Sequence, residues 1–194
     1  VVLDMPHARA GLGQVLDMAL GRAAVHGPVQ RDLAAADGHL DVGGIQAGIV
    51  RQALADVLAD AVIRALVVAR SAALAARQLA RPGSRSMALI GNGAQAEFQA
   101  LAMKAVCGIE EVRLYDIDPA ATRKCVANLA GRGLRVVPCN SAEDAILGAQ
   151  IITTCTADKQ YATILTDNMV GGGVHINAVG GDCPGKTELS PAIL

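Results

Sequence analysis

Apolar residues along this chain follow two different rhythms. Ile45, Ile49, Leu54, Val57, Leu58, Val62 and Leu66 recur at steps of three to five. That spacing places them near one face of a helix. Alanine stays dense up to Ala80, and Arg81-Pro82-Gly83 breaks the pattern, so one or two helices are predicted over about 45–80. Beyond residue 85 short apolar runs alternate with helical stretches. Residues 87–90, 112–115, 134–138, 151–155 and 174–179 read as strands. Between them, helices are predicted over 95–106 and 119–130, and a short one opens at Ser141. The first of these carries Phe98, Leu101, Ala102 and Ala105 on its buried face. Asp118 before Pro119 reads as an N-cap with proline in the first turn. Ser141 with Asp144 three residues on resembles a capping box. Residues 1–42 mix short apolar runs with Gly and Pro and give no assignable pattern. Strands alternating with helices imply right-handed crossovers and a parallel sheet, hence an α/β fold.

Composition separates the same two halves. No Phe, Tyr or Trp precedes Phe98, no Glu precedes Glu97, and no Lys precedes Lys104. The early part is thus a narrow mixture rich in Ala, Val, Leu, Gly, Arg and Asp. We expect a helical segment over 1–80 and a second domain over 81–194. At 194 residues and 52% hydrophobic content, the chain has ample material for a core. A net charge of −1 gives no general attraction to nucleic acid or to an anionic membrane. Arg, Asp or Gly interrupts every apolar run before membrane-spanning length. The first six residues lack the basic-then-apolar layout of a secretory signal. The five cysteines, 107, 125, 139, 155 and 183, contain no zinc-type spacing and read as reduced thiols, so the expected location is cytoplasmic and no metal is expected.

The candidate chemistry starts at Gly91-Asn92-Gly93-Ala94-Gln95-Ala96, a G-x-G-x-x-A turn. By itself the motif is common. Here it follows a predicted strand, opens a predicted helix, and precedes Asp116 at the end of the next strand. Gly91 permits the tight turn, Gly93 lets backbone approach a pyrophosphate, and Ala96 allows close helix–strand packing. The helix N-terminus receives the phosphate charge. Asp116 can accept hydrogen bonds from an adenosine ribose and would repel a 2′-phosphate, which favours NAD over NADP. Residues 81–194 therefore read as a Rossmann-type, doubly wound parallel sheet. Beyond the fifth strand lies Gly180-Gly181-Asp182-Cys183-Pro184-Gly185-Lys186-Thr187-Glu188-Leu189. In open parallel sheets ligands bind past the carboxyl ends of the strands, where this loop and Thr156 lie. Asp182 is a candidate acid/base, and Lys186 a candidate partner for a phosphate or a substrate carboxylate.

Four segments carry a family resemblance. Ser84-Arg85-Ser86-Met87-Ala88-Leu89-Ile90-Gly91-Asn92-Gly93-Ala94-Gln95 resembles the dinucleotide turn of ornithine cyclodeaminases. Tyr115-Asp116-Ile117-Asp118-Pro119 and Ile151-Ile152-Thr153-Thr154-Cys155-Thr156-Ala157-Asp158-Lys159 match its next segments. The stretch from Asn177 to Leu189, with D-C-P-G-K-T-E-L at its core, is similar to that family's own signature. Related ketimine reductases and alanine dehydrogenases share the glycine turn but usually differ in this loop. The resemblance covers about residues 72–194. It implies conversion of L-ornithine to L-proline and ammonia with NAD as a recycled cofactor, in a homodimer. By position it implies Asp182 as the catalytic acid/base, and Ala94, Gln95, Asp116, Thr156, Gly180, Gly181 and Lys186 along the NAD site.

Residues 1–66 depart from the family. They contain no Lys, and where the family has an Arg before the glycine turn this chain has Val67. The chain also stops at Leu194, short of the family's last region. Two readings of the early segment follow: a misread reading frame, or a helical replacement of the family's first domain. Correspondingly, the alternatives to an ornithine cyclodeaminase are a non-catalytic NAD-binding fragment and a related ketimine reductase or lysine cyclodeaminase.

Overall fold

A computed structural model describes residues 43–157, 163–181 and 186–193, with side chains from residue 55 onward. Residues 1–42, for which no pattern could be assigned, lie outside the described part. The chain divides into two compact units, Val1–Arg64 and Ala65–Leu194. One helix, α1 (Gly43–Leu79), contributes residues to both.

The second unit is built on five short strands: β1 (Ser86–Ile90), β2 (Glu111–Tyr115), β3 (Arg135–Pro138), β4 (Ile151–Thr154) and β5 (His175–Ala178). All pair in parallel, in the order β3-β2-β1-β4-β5. The chain thus builds outward from β1 in one direction, then returns to add β4 and β5 on its other side. This is the predicted doubly wound α/β sheet. The central strand explains itself: Met87 and Leu89 point into one apolar layer and Ala88 and Ile90 into the other, all at most 2% exposed. Helices α2 (Ala96–Cys107) and α3 (Pro119–Leu129) cover the first layer, together with the end of α1. The short helix α4 (Ala142–Ile146) and the Leu165 segment cover the second.

The helix ends follow local chemistry. Asp118 accepts the Ala120 N–H at 2.8 Å, with Pro119 in the first turn, as predicted. Ser141 accepts the Asp144 N–H at 3.0 Å and starts α4. Gly108 ends α2 at φ 73°, where its N–H reaches the Lys104 carbonyl.

Two predicted helix faces are only partly right, in the same way. On α1, Val62 of the predicted apolar face is buried, but Val57 and Leu66 are 63% and 46% exposed. The buried line continues through Ala65, Ala69, Ala73 and Ala76. On α2, Ala105 is exposed and Leu101 and Ala102 are only half-buried, whereas Ala96, Ala100 and Met103 are buried. Of the predicted set only Phe98 is buried. Both helices meet the core of the sheet through alanines, Ala73 and Ala76 on α1 and Ala96 and Ala100 on α2, which let backbone approach backbone, with the larger Met103 one turn further along α2.

This packing yields a first prediction. Ala73→Leu places three extra carbons where there is no space, and should cost about 1–3 kcal/mol in urea unfolding. Ala75→Leu, on the exposed side of the same helix, should stay within about 0.5 kcal/mol.

Candidate functional site

Strand register creates the site. Ile90 is aligned with both Tyr115 and Thr154, and Thr154 with Ala178. The next residues, Gly91, Asp116, Cys155 and Val179, therefore emerge along one edge of the sheet. Gly91 turns there at φ 90°. A Cβ on it would lie 2.9 Å from the Cys155 carbonyl and from the Thr156 nitrogen. Its lack of a side chain is thus required by β4, in addition to the turn. Gly93 is different: it is exposed, and no protein atom lies within 4 Å of the place a Cβ would take. The space beside it is open to a ligand. Helix α2 begins three residues later with no side-chain cap; its Ala96 N–H reaches the Gly93 carbonyl at 3.3 Å, and the i→i−4 ladder starts with Gln99 N–H on the Gln95 carbonyl.

Asp116 is bound on both carboxylate oxygens. Oδ2 accepts the Asn92 N–H at 2.5 Å, and Oδ1 accepts the Asp118 N–H at 2.8 Å. The predicted ribose acceptor therefore also clamps the glycine turn to the end of β2. Each oxygen keeps a lone pair for a further donor. It opens onto a cleft of about 330 Å³ whose lining includes Tyr115, Pro119, Arg123, Cys139 and Asn140. Asn92 is tied down through Nδ2, which donates to Thr122 Oγ1 at 2.9 Å. Among the described residues, Asn92 Oδ1, Gln95 Oε1 and both amide atoms of Gln99 are buried without a hydrogen-bond partner. Unpaired amide atoms on three residues of one glycine turn and its helix fit a site made for a polar ligand.

The other side of the edge is organised by a residue that the sequence reading quoted without a role. Glu188 is 4% exposed. The parallel bridge between Leu165 and Leu189 sets its backbone. Its Oε2 accepts Thr154 Oγ1 at 2.6 Å and the Gly180 N–H at 2.8 Å. Its Oε1 accepts the Thr156 N–H at 2.9 Å and Thr156 Oγ1 at 2.7 Å. Gly180 is packed so tightly that a Cβ would overlap this carboxylate and lie 2.5 Å from the Thr156 carbonyl oxygen. The sequence signal was the hydroxyl-rich end of β4: buried threonines need an acceptor, and a buried acid supplies one.

The predicted residues thus fall into groups. Gly91, Asp116, Thr156 and Gly180 stand at the edge, the first two joined through Asn92 and the last two through Glu188. Ala94 is exposed and Gln95 half-buried at the start of α2, Gly181 is exposed, and Lys186 is half-buried. Asp182 lies outside the described residues. Cys155 sits between the two groups, its Sγ donating to the Gly91 carbonyl at 3.0 Å. Burial pushes its thiol pKa up, and the Glu188 carboxylate adds to the shift. Burial does the same to Cys125 beneath α3, with Glu97 adding.

The ornithine cyclodeaminase/mu-crystallin family matches residues 52–194. The chain belongs to that family. An ornithine cyclodeaminase of Brucella suis biovar 1 (strain 1330) is 63% identical over 133 residues, covering 69% of this chain and 37% of that protein. Among solved structures, one on recognition of L-lysine, L-ornithine and L-2,4-diaminobutyric acid by lysine cyclodeaminase has a TM-score of 0.61 at 37% identity, over 66% of this chain and 37% of the other. An archaeal alanine dehydrogenase dimer with bound NAD has a TM-score of 0.60 at 33% identity, over 67% and 40%. The chain thus spans little more than a third of the length of the curated ornithine cyclodeaminase it matches. The family match over 52–194 includes the whole sheet, and with it both halves of the carboxyl edge.

Two predictions concern this geometry. Gly91→Ala forces a positive φ and a backbone clash, and should cost about 2 kcal/mol or more in urea unfolding, whereas Gly93→Ala should cost under about 1 kcal/mol. Because the thiolate is the reactive form, Cys125 and Cys155 at pH 8 should alkylate with iodoacetamide about tenfold or more slowly in the folded than in the urea-unfolded chain. Mass spectrometry of the labelled peptides reads both rates.

Proposed function

We propose that this chain is the NAD-binding part of an ornithine cyclodeaminase, the enzyme class that forms L-proline and ammonia from L-ornithine. The observation that carries the reading is the 63% identity to such an enzyme over 133 residues, beside a family match over 52–194 that holds the glycine turn and the whole edge. The neighbouring structure with bound NAD and the one concerned with ornithine recognition support the cofactor and the substrate class.

The residues fit NAD. Open space at Gly93 and the first N–H groups of α2 suit its diphosphate. The free lone pairs of Asp116, beside the 330 Å³ cleft, suit ribose hydroxyls. Its negative charge disfavours a 2′-phosphate, hence NADP. Thr156, Gly180 and Gly181 suit the nicotinamide end, with Lys186 serving cofactor more than substrate. When bound, NAD supplies a hydride acceptor at the substrate α-carbon that becomes the donor for the return step. Asp182, carried over from the family signature, exchanges protons with the substrate amine. Residues 81–194 form the cofactor domain. A homodimer in the cytoplasm completes the reading, with the relative described as a dimer in support. Among the described residues no helix is long and apolar enough to cross a membrane.

The test is proline and ammonia formation from L-ornithine with trace NAD⁺, with L-lysine and L-alanine as comparison substrates. We expect product in excess of the NAD⁺ added, and more from ornithine than from lysine. Asp182→Asn should abolish turnover and leave NADH binding intact. NADH binding with no product from any of the three would reduce the chain to a dinucleotide-binding module.

A further inference from the structure

We infer that Glu188 is a positioning residue that fixes the nicotinamide half of the cofactor edge and leaves the adenosine half to Asp116. The inference rests on the NAD reading above. Sheet order places β1, β2 and β3 on one side of the switch between β1 and β4, and β4 and β5 on the other. A dinucleotide crosses the sheet at this switch, one half on each side. Asp116 and its cleft belong to the β2 side. Glu188 binds Thr154 and Thr156 at the end of β4, and Gly180 past β5.

Two of its four partners are backbone N–H groups, which cannot turn around; that of Thr156 is bonded at 2.9 Å, and that of Gly180 at 2.8 Å with a longer 3.2 Å contact to the Thr154 carbonyl. They fix the peptide planes before Thr156 and Gly180, the residues assigned to the nicotinamide end. They also commit the Thr156 N–H and hydroxyl proton inward, so Thr156 offers a ligand only its acceptor capacity and its shape. A carboxylate is the side chain that satisfies all four donors. Glutamine has the same volume but one oxygen. Whichever way its amide is turned, its NH₂ faces a backbone donor, at Thr156 or at Gly180. The hydroxyls of Thr154 and Thr156 can rotate to accept instead; the backbone cannot. Glu188→Gln should therefore displace one of the two peptides without opening a cavity.

The experiment compares NADH with ADP, which carries only the adenosine half and the diphosphate, by calorimetric titration of the full chain. For Glu188→Gln we expect NADH affinity to fall about tenfold while ADP affinity stays within about twofold. Asp116→Ala should weaken both ligands. Equal loss of NADH and ADP in Glu188→Gln, or no loss of either, would overturn the inference, since general destabilisation has no reason to spare one half. Should Glu188→Gln fail to fold, Thr154→Val carries the test. It removes one donor to the carboxylate in a buried, shape-matched site, and should weaken NADH about threefold with ADP unchanged; equal effects on both ligands would again overturn the inference. Wild-type chain that binds neither ligand would overturn the cofactor reading itself, a result distinct from failure of selectivity.

Discussion

The backbone contact between Gly91 and the Cys155–Thr156 peptide governs the rest of the site. β1 and β4 run paired as far as Ile90 and Thr154. Past that point both chains must leave the sheet through the same space. A side chain at position 91 would meet the other backbone at 2.9 Å, so one of the two chains must be bare. Once it is, the turn directs the chain into α2, and Asp116 can reach across to the Asn92 N–H. On the other side Thr156 is directed towards Glu188. Both halves of the edge inherit their positions from this one crossing.

The sheet was legible because its signals are local. The continuous apolar run in 87–90 follows from burial on two faces and the alternation in 112–115 from burial on one, and the predicted strand limits differ from the observed ones by a residue or less at each end. Capping by Asp118 and Ser141 was equally readable, since each side chain bonds to a backbone group within three residues. Helix faces were not. Reading by hydropathy favours Leu and Val, whereas docking on a sheet selects by size. Ala69, Ala73 and Ala76 are buried because they are small, while Leu74 remains 42% exposed. No one-dimensional pattern distinguishes an alanine that packs from one that merely favours helix.

The site shows the same division. Gly91 and Asp116 could be placed by motif and spacing, and both stand at the edge as expected. What spacing could not reveal is that Asp116 is already engaged by two N–H groups, or that Glu188 is engaged by four donors. Apart from the local Asp118 N–H bond to Asp116, those bonds join residues 24 to 34 positions apart, or 8 in the case of Gly180, through register that exists only after the sheet forms. The two acids differ in kind. Asp116 is half-buried and retains capacity for a ligand, whereas Glu188 is sequestered and spends itself on the protein.

The Glu188 hub also has a consequence for biogenesis. During vectorial synthesis the chain appears from its N-terminal side, and β1 through β4 emerge before the carboxylate that completes their edge. Until then the hydroxyl of Thr154 and the amide of Thr156 have only solvent to serve them. A nascent chain can therefore assemble the half that carries Asp116 early, but the other half waits for residue 188. Completion of this half is thus timed by the synthesis of residue 188, whose carboxylate ties the end of β4 to the turn past β5.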